Sequence, residues 1–287
     1  MNGALQDQTQ FPTHQCECLC ESLRIWVGID IDPSKTYLVR SRLREVLQLH
    51  NVDTLGDLLN RAKLPNSEAR HDIIDAMTTH ETLFFRDRHP FEAVAKKLVP
   101  DALLTSPAAR YRIHCLACST GQEPYSLVMR LSETLRPEQL LRVELRASDV
   151  SRPTLEMARR GEYMKHELSR GLTDAQRQRF FEPVSSDSAL GRMRLIDSIR
   201  QRVRFQVLNL AFIKQQRPNQ TELLDLCLCR NVLIYFDDEL RSTIVRGLAN
   251  WIRPGGHLII GSSEMLSGFE DVFERSHVDG TVVYQRR

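Results

Sequence analysis

Ser119-Thr120-Gly121-Gln122-Glu123-Pro124-Tyr125-Ser126 is the stretch whose reading decides the fold. The run before it, 111–117, reads as a strand, and Pro124 suits the first turn of a helix, where its missing N–H costs nothing. A strand, a tight turn and a helix form one half of a parallel crossover unit. Gly121, the one glycine in the turn, would let the backbone approach a ligand closely. Asp149 ends the next strand, 143–149, where a doubly wound α/β fold presents an acid to a ribose hydroxyl pair.

The ligand chemistry follows from what the turn lacks. The multiple glycines of a dinucleotide fingerprint are absent, and Glu123 stands at the helix N-terminus, where it would repel a pyrophosphate. A carboxylate there suits a cation. S-adenosylmethionine brings a sulfonium, an ammonium and no phosphate. Two plainer readings compete: Glu123 complementing the helix dipole, worth about 0.3–1 kcal/mol, and Asp149 capping the helix that begins at Arg152. The two acids together, at this spacing, favour the ligand.

Outward from this centre, strands are expected at 111–117, 143–149, 203–207, 223–229 and 257–261, with helices at 124–135, 152–160 and 238–251. The β-branched and aromatic run 281–284 would close the sheet as an edge strand. Residues 161–202 exceed an ordinary loop and read as an insertion with its own structure: a helical segment at 173–181, a polar loop around Ser185-Ser186-Asp187-Ser188, and Met193-Arg194-Leu195-Ile196. Before Pro107 the texture is helical, with starts marked by Asp32-Pro33-Ser34, Asp53-Thr54 and Asn66-Ser67 opening helices 34–50, 55–61 and 68–77. The expected organisation is a helical domain over 14–99 and an α/β domain over 107–287.

Composition agrees with a soluble two-domain chain. Of 287 residues, 41% are hydrophobic and 26% charged, and no apolar run reaches the roughly 18 residues of a membrane span. The first residues carry no secretory pattern, so a cytoplasmic protein is expected. Lys plus Arg total 39 against 37 Asp plus Glu, which gives no global argument for nucleic acid. The seven cysteines read as reduced thiols. Cys16-Glu17-Cys18-Leu19-Cys20 lacks both the spacing and the second ligand pair of a zinc site, so no metal is expected.

Several motifs, in order, resemble the CheR family of chemotaxis receptor glutamate methyltransferases: Met77-Thr78-Thr79-His80-Glu81-Thr82-Leu83-Phe84-Phe85-Arg86, the 119–126 turn, Ala147-Ser148-Asp149, Asn209-Leu210, and Cys229-Arg230-Asn231-Val232-Leu233-Ile234-Tyr235-Phe236. Gly161-Glu162-Tyr163, Arg253-Pro254-Gly255-Gly256 and Gly261-Ser262-Ser263-Glu264 are further landmarks. The resemblance implies a Rossmann-like S-adenosylmethionine-dependent methyltransferase domain with an inserted small antiparallel β-subdomain, preceded by a small all-α domain. It places cofactor contacts on His80, Thr82, Arg86, Glu123, Asp149, Asn209, Leu210, Arg230 and Asn231. His80 stands where the family more familiarly has asparagine.

The implied reaction moves a methyl group from S-adenosylmethionine to glutamate side chains of methyl-accepting chemotaxis receptors, leaving S-adenosylhomocysteine. A glutamate carboxylate, with a reference pKa of about 4.3, needs no general base near neutral pH. Catalysis then rests on placement and desolvation. Arg86 is the expected clamp for the acceptor carboxylate, and Tyr235 resembles the family tyrosine near the transferred methyl. On the helix 34–50, Val39, Leu43, Val46 and Leu47 form an apolar stripe, while Arg40 and Arg44 share a basic face. The resemblance makes that face the reader of the receptor's acidic helical bundle, and in some members the inserted sheet also takes a receptor C-terminal peptide by strand addition. A monomer is expected. The competing reading is an inactive adaptor, for which His80 is the one supporting feature.

Overall fold

The computed structural model describes residues 11–32, 34–106, 109–184, 191–216 and 218–287. The polar loop at Ser185-Ser186-Asp187-Ser188 and the change of texture at Pro107 lie outside them. The chain divides into two compact units: Met1–Thr79 with Asn209–Ala211 and Tyr235–Arg241, and His80–Leu208 with Phe212–Ile234 and Ser242–Arg287. No helix among the described residues is long and apolar enough to cross a membrane.

The first unit is built from α1 (Thr13–Val27), α2 (Thr36–Leu49), α3 (Leu55–Arg61) and α4 (Glu68–Met77). α1 buries Cys16, Leu19, Cys20, Leu23 and Val27 at helical spacing, so Cys16 and Cys20 are core residues and Cys18 faces out. The expected stripe Val39, Leu43, Val46 and Leu47 is the buried face of α2. Thr54 and Ser67 cap α3 and α4 by accepting from the N–H groups of Asp57 and Arg70. α2 starts two residues later than its signal suggested, because Asp32 accepts from the Ser34 N–H at 2.9 Å in a turn ahead of the helix. Arg42 ties α2 to the end of α4 by donating to the carbonyls of Met77 and Thr78 at 2.8 and 3.2 Å.

The second unit opens at His80. Residues 80–99, grouped by their helical texture with the N-terminal domain, pack in this unit instead. The reason is apolar burial: Phe84, Phe85, Phe91, Val94, Val99 and Leu103 enter one core with Tyr111, Ile113 and Leu127, each large side chain contributing about 1.5–3 kcal/mol by leaving water. The elements here are α5 (His89–Ala93), running through a π turn, Val94–Leu98, into α6 (Val99–Thr105). Then come β1 (Tyr111–Leu116), α7 (Gln122–Thr134), α8 (Pro137–Leu140), β2 (Val143–Asp149) and α9 (Arg152–Arg160). The insertion follows as β3 (Glu162–Met164), α10 (Lys165–Leu168), α11 (Asp174–Phe180), β4 (Phe181–Pro183), β5 (Arg192–Leu195) and α12 (Asp197–Arg200). β6 (Val203–Val207), β7 (Leu224–Cys229), α13 (Asp238–Trp251), β8 (Ile252–Ile260), β9 (Phe273–Val278) and β10 (Thr281–Arg286) complete the order.

Among the described residues, seven strands form one sheet in the order β6-β2-β1-β7-β8-β10-β9. The five strands β6, β2, β1, β7 and β8 run parallel, and β10 pairs antiparallel with β8 and β9. The strand order reverses between β1 and β7, which opens a ligand crevice at their carboxyl ends. The run at 281–284 was expected at the sheet edge; it lies one strand inside, and β9 is the edge. β9 escaped notice because its charged residues Glu274 and Arg275 are exposed and Phe273 is its one buried side chain, as suits a protected edge. β8 is longer than read. Arg253-Pro254-Gly255-Gly256 looks like a turn in sequence, but it continues the strand through a register shift opposite Leu224 and Leu226. The insertion carries a separate antiparallel sheet, β3-β5-β4.

Candidate active site

At the carboxyl end of β1 the chain turns through left-handed conformations at Ala117, Ser119 and Gly121. Gly121, at φ +93°, sits in a backbone conformation that favours glycine, and a Cβ there would also press on the Tyr125 ring at 3.0 Å and the Ala158 methyl at 3.1 Å. Asp149, at the end of β2, is buried and grips the same turn. Its Oδ2 accepts from the Ser119 N–H at 2.9 Å, and its Oδ1 from the Ser151 N–H at 3.0 Å. The cap of α9 is Ser151, which accepts from the Thr154 N–H. Each Asp149 oxygen still has a lone pair to offer.

Glu123, in the first turn of α7, is ion-paired. Arg230, at the end of β7, places Nη1 2.7 Å from Glu123 Oε2, and its Nη2 donates to Asp87 Oδ2 at 2.8 Å and to the Arg86 carbonyl at 3.0 Å. The Arg230 side chain is 1% exposed and that of Glu123 14%, so either charge left alone would be costly to bury. Burial raises the Glu123 pKa while the Arg230 guanidinium opposes the rise, with Arg86 adding a smaller pull in the same direction. Burial, then Asp149, then Glu123 push the Cys118 thiol upward, so both acids act on one point of the crevice.

The loop from His80 to Arg88 is fastened on several sides. Ser119 Oγ donates to the His80 carbonyl at 2.8 Å, and the Phe85 N–H donates to Ser126 Oγ at 2.8 Å. Phe84 meets Tyr163 and Phe181 edge-on at 5.0 and 5.7 Å, which joins the loop to the inserted sheet. Gly171, at φ +103°, passes so close that a Cβ would sit 1.8 Å from the Phe84 carbonyl oxygen. Phe85 and Asp87 on either side of Arg86 adopt φ values of 52° and 61°, conformations that non-glycine residues keep only where surroundings impose them. His80 lies with its ring Nδ1 3.4 Å from Thr154 Oγ1. With Thr82, Thr120, His166 and Arg170 among its neighbours, it lines a cavity of about 160 Å³ beside the turn.

Asn231, at φ 57°, is held by a residue that the sequence offered merely as a landmark. Glu264 Oε2 accepts from the N–H groups of Asn231 at 2.8 Å and Gly261 at 2.7 Å, and Oε1 accepts from Leu233 at 2.9 Å. The signal lay in an acid three residues beyond a glycine at a strand end, a spacing that folds a carboxylate back on its own turn.

The structure therefore brings together His80, Thr82, Arg86, Glu123, Asp149, Arg230 and Asn231 in the second unit. Asn209, Leu210 and Tyr235 are grouped with the helical unit. There Asn209 Nδ2 donates to the Trp26 carbonyl at 2.7 Å, and the Tyr235 carbonyl accepts from the Asp30 N–H at 3.0 Å. Arg40 and Arg44 also belong to that unit and differ in exposure: Arg40 is half-buried, with its Nε enclosed, and Arg44 is exposed.

The donor set fits S-adenosylmethionine. Glu123 Oε2 is occupied by Arg230, but Oε1 accepts no hydrogen bond from the described residues and can receive an ammonium. Asp149 can accept a ribose hydroxyl pair with its remaining lone pairs. At the turn the Ser119 N–H is spent on Asp149, and the Glu123 carboxylate in the first turn of α7 opposes a phosphate.

Comparison with known proteins gives the same division. Residues 80–282 match the family model described as CheR methyltransferase, SAM binding domain, and residues 15–78 match CheR methyltransferase, all-alpha domain. Relatives include a chemotaxis protein methyltransferase of Vibrio parahaemolyticus, 39% identical over 90% of this chain and 91% of its own length. Chemotaxis protein methyltransferase 1 of Vibrio cholerae is 37% identical over 93% and 94%. Chemotaxis protein methyltransferase Cher2 of Pseudomonas putida is 35% identical over 91% and 93%.

Proposed function

The chain belongs to the CheR methyltransferase family, and on that premise we propose that it transfers the methyl group of S-adenosylmethionine to glutamate side chains of chemotaxis receptors. The observation that carries the reading is the paired arrangement of Glu123, Arg230 and the Arg86 loop at the carboxyl ends of β1 and β7. When bound, the cofactor supplies an electrophilic methyl group on a positively charged sulfur. Glu123 offers its unpaired Oε1 to the cationic amino end, and Asp149 takes the ribose hydroxyls. Arg86, in a loop whose backbone is fixed by Arg230 and Ser126, orients the acceptor carboxylate with a fork of charged donors.

No proton has to be removed from a glutamate that is already ionised. Rigid placement and exclusion of water do the work, and they act before the acceptor arrives because the loop is fixed by its own hydrogen bonds. His80 and Thr82 sit on the wall beside the turn, and the Asn231 backbone is held by Glu264; the family resemblance assigns further cofactor and methyl contacts to Asn209, Leu210 and Tyr235. The side of α2 that carries exposed Arg44 and half-buried Arg40 is the basic surface offered to an acidic receptor helix. The inserted β3-β5-β4 sheet is the candidate seat for a receptor C-terminal peptide. An inactive adaptor is not favoured, since the relatives matched over nine-tenths of the chain are named chemotaxis protein methyltransferases.

The test is transfer of label from methyl-labelled S-adenosylmethionine to a soluble cytoplasmic fragment of a receptor. Wild type should label the fragment, and Arg86→Ala should lose about 100-fold or more in rate, the scale of removing one preorganised donor. Absence of labelling by wild type with every cognate receptor would refute the function; a fast Arg86→Ala enzyme would refute the clamp.

A further inference from the structure

The charged cluster behind Arg86 contains a group that neither the family motifs nor the cofactor contacts explain. Asp87 follows the clamp directly. Its side chain is 35% exposed, and its Oδ2 accepts from Arg230 Nη2 at 2.8 Å and from Ser262 Oγ at 3.3 Å. The same Nη2 donates to the carbonyl of Arg86 at 3.0 Å. One nitrogen thus holds the main chain of the clamp residue and the side chain of the next residue together. Ser262 reaches in from the turn after β8, which Glu264 ties to Asn231.

Backbone conformation makes this contact consequential. Phe85 and Asp87 both have positive φ, so the Arg86 Cα–Cβ direction is set between two residues in a sparsely populated region. Phe85 is kept there by its buried ring against Phe91, centroids 5.4 Å apart, and by its bond to Ser126. Asp87 has no buried ring; its carboxylate is its tether. The two hydrogens of Arg230 Nη2 serve Asp87 Oδ2 and the Arg86 carbonyl together, while Nη1 is committed to Glu123.

We propose that Asp87, braced by Ser262 and acting through Arg230, is a positioning residue that sets the direction of the Arg86 side chain for methyl transfer. The inference rests on Arg86 being the acceptor clamp. Asp87 itself touches neither cofactor nor acceptor. Its loss should therefore appear in turnover at saturating cofactor and leave cofactor affinity nearly unchanged.

Asp87→Gly removes the carboxylate at a φ that glycine adopts freely, and Asp87→Asn keeps an acceptor oxygen in a residue that tolerates the same φ. Asp87→Gly should lower turnover at saturating S-adenosylmethionine by about 10–100-fold, the scale of a small misplacement of a catalytic group. Its calorimetric Kd for S-adenosylhomocysteine should stay within about threefold of wild type, and Asp87→Asn should recover turnover to within about threefold. Introduced into Arg86→Ala, Asp87→Gly should cost little more, because the group it positions is gone.

Wild-type turnover in Asp87→Gly would overturn the proposal. So would equal loss in Asp87→Asn, loss of S-adenosylhomocysteine binding in step with turnover, or an undiminished effect of Asp87→Gly in the Arg86→Ala background. A slow Arg86→Ala enzyme beside a fast Asp87→Gly enzyme refutes this inference and spares the clamp. A fast Arg86→Ala enzyme refutes the clamp itself.

Discussion

Glu264→Ala deletes one carboxylate and strands three backbone donors. The N–H groups of Gly261, Asn231 and Leu233 lie 2.7, 2.8 and 2.9 Å from its oxygens, and Asn231 is held at positive φ by the arrangement. A hydrogen bond to a charged acceptor contributes about 1.5–3 kcal/mol net. Glu264 is partly exposed, so water can replace some of what is lost, and a total of about 3 kcal/mol is reasonable for the three bonds together. For a unit of this size that is about 6–12 °C in Tm. Glu264→Gln keeps one acceptor oxygen, able to serve Asn231 and Gly261, but turns an amide N–H toward that of Leu233; about 1–2 kcal/mol should go. Differential scanning calorimetry at neutral pH reads the Tm series, and titration with S-adenosylhomocysteine reads the site. The expected order of Tm is wild type, then Glu264→Gln, then Glu264→Ala, with affinity falling in the same order as Asn231 loses its support. A Glu264→Ala protein melting within 2 °C of wild type with unchanged affinity would refute the clamp at 231–233.

Two further outcomes are expected. His114 is buried in β1, and burial, helped by Arg146, drives its imidazole down to about 3; the unfolded chain takes up that proton near pH 6.5. Its neutral native form is thus fully favourable above 6.5, and stability is lost as pH falls, by about 2 kcal/mol at pH 5. His114→Asn should flatten the fall between pH 7 and 5 in denaturant titrations by about that amount, and an unchanged slope would refute the assignment. On α2, Arg44→Glu should slow receptor methylation and spare S-adenosylhomocysteine binding, whereas Arg40→Glu should also cost stability because Arg40 is half-buried with its Nε enclosed. Unimpaired methylation by Arg44→Glu would remove α2 as the reading surface.

Much of the parallel core was legible because β1, β2 and β7 each lead through a turn to a helix, α7, α9 and α13. Asp149 and Glu123 could be placed from spacing alone, one at a strand end and the other in a helix's first turn. Three features were not legible, each for a physical reason. The 80–99 segment is helical in texture, and periodicity does not say which core a helix enters; Phe84 and Phe91 decide that by long-range burial. β9 carries its charges on the exposed edge and so lacks an apolar signature. Arg230 reads in sequence as one more cofactor contact; its guanidinium is also shared among Glu123, Asp87 and the Arg86 carbonyl. Such sharing depends on residues brought together from distant parts of the chain. Gly121 adds a constraint that spacing does not show: its positive φ and the nearby Tyr125 ring both favour glycine there.

The chemistry of the linkage formed on the receptor is the most direct test of the whole assignment. After transfer from methyl-labelled S-adenosylmethionine, the receptor fragment should release its label as volatile methanol under mild base, as a carboxyl methyl ester must, and replacement of the labelled glutamates by alanine should abolish incorporation. Label that survives base, or that enters the glutamate-free fragment at the same rate, would contradict glutamate ester formation by the Arg86 site.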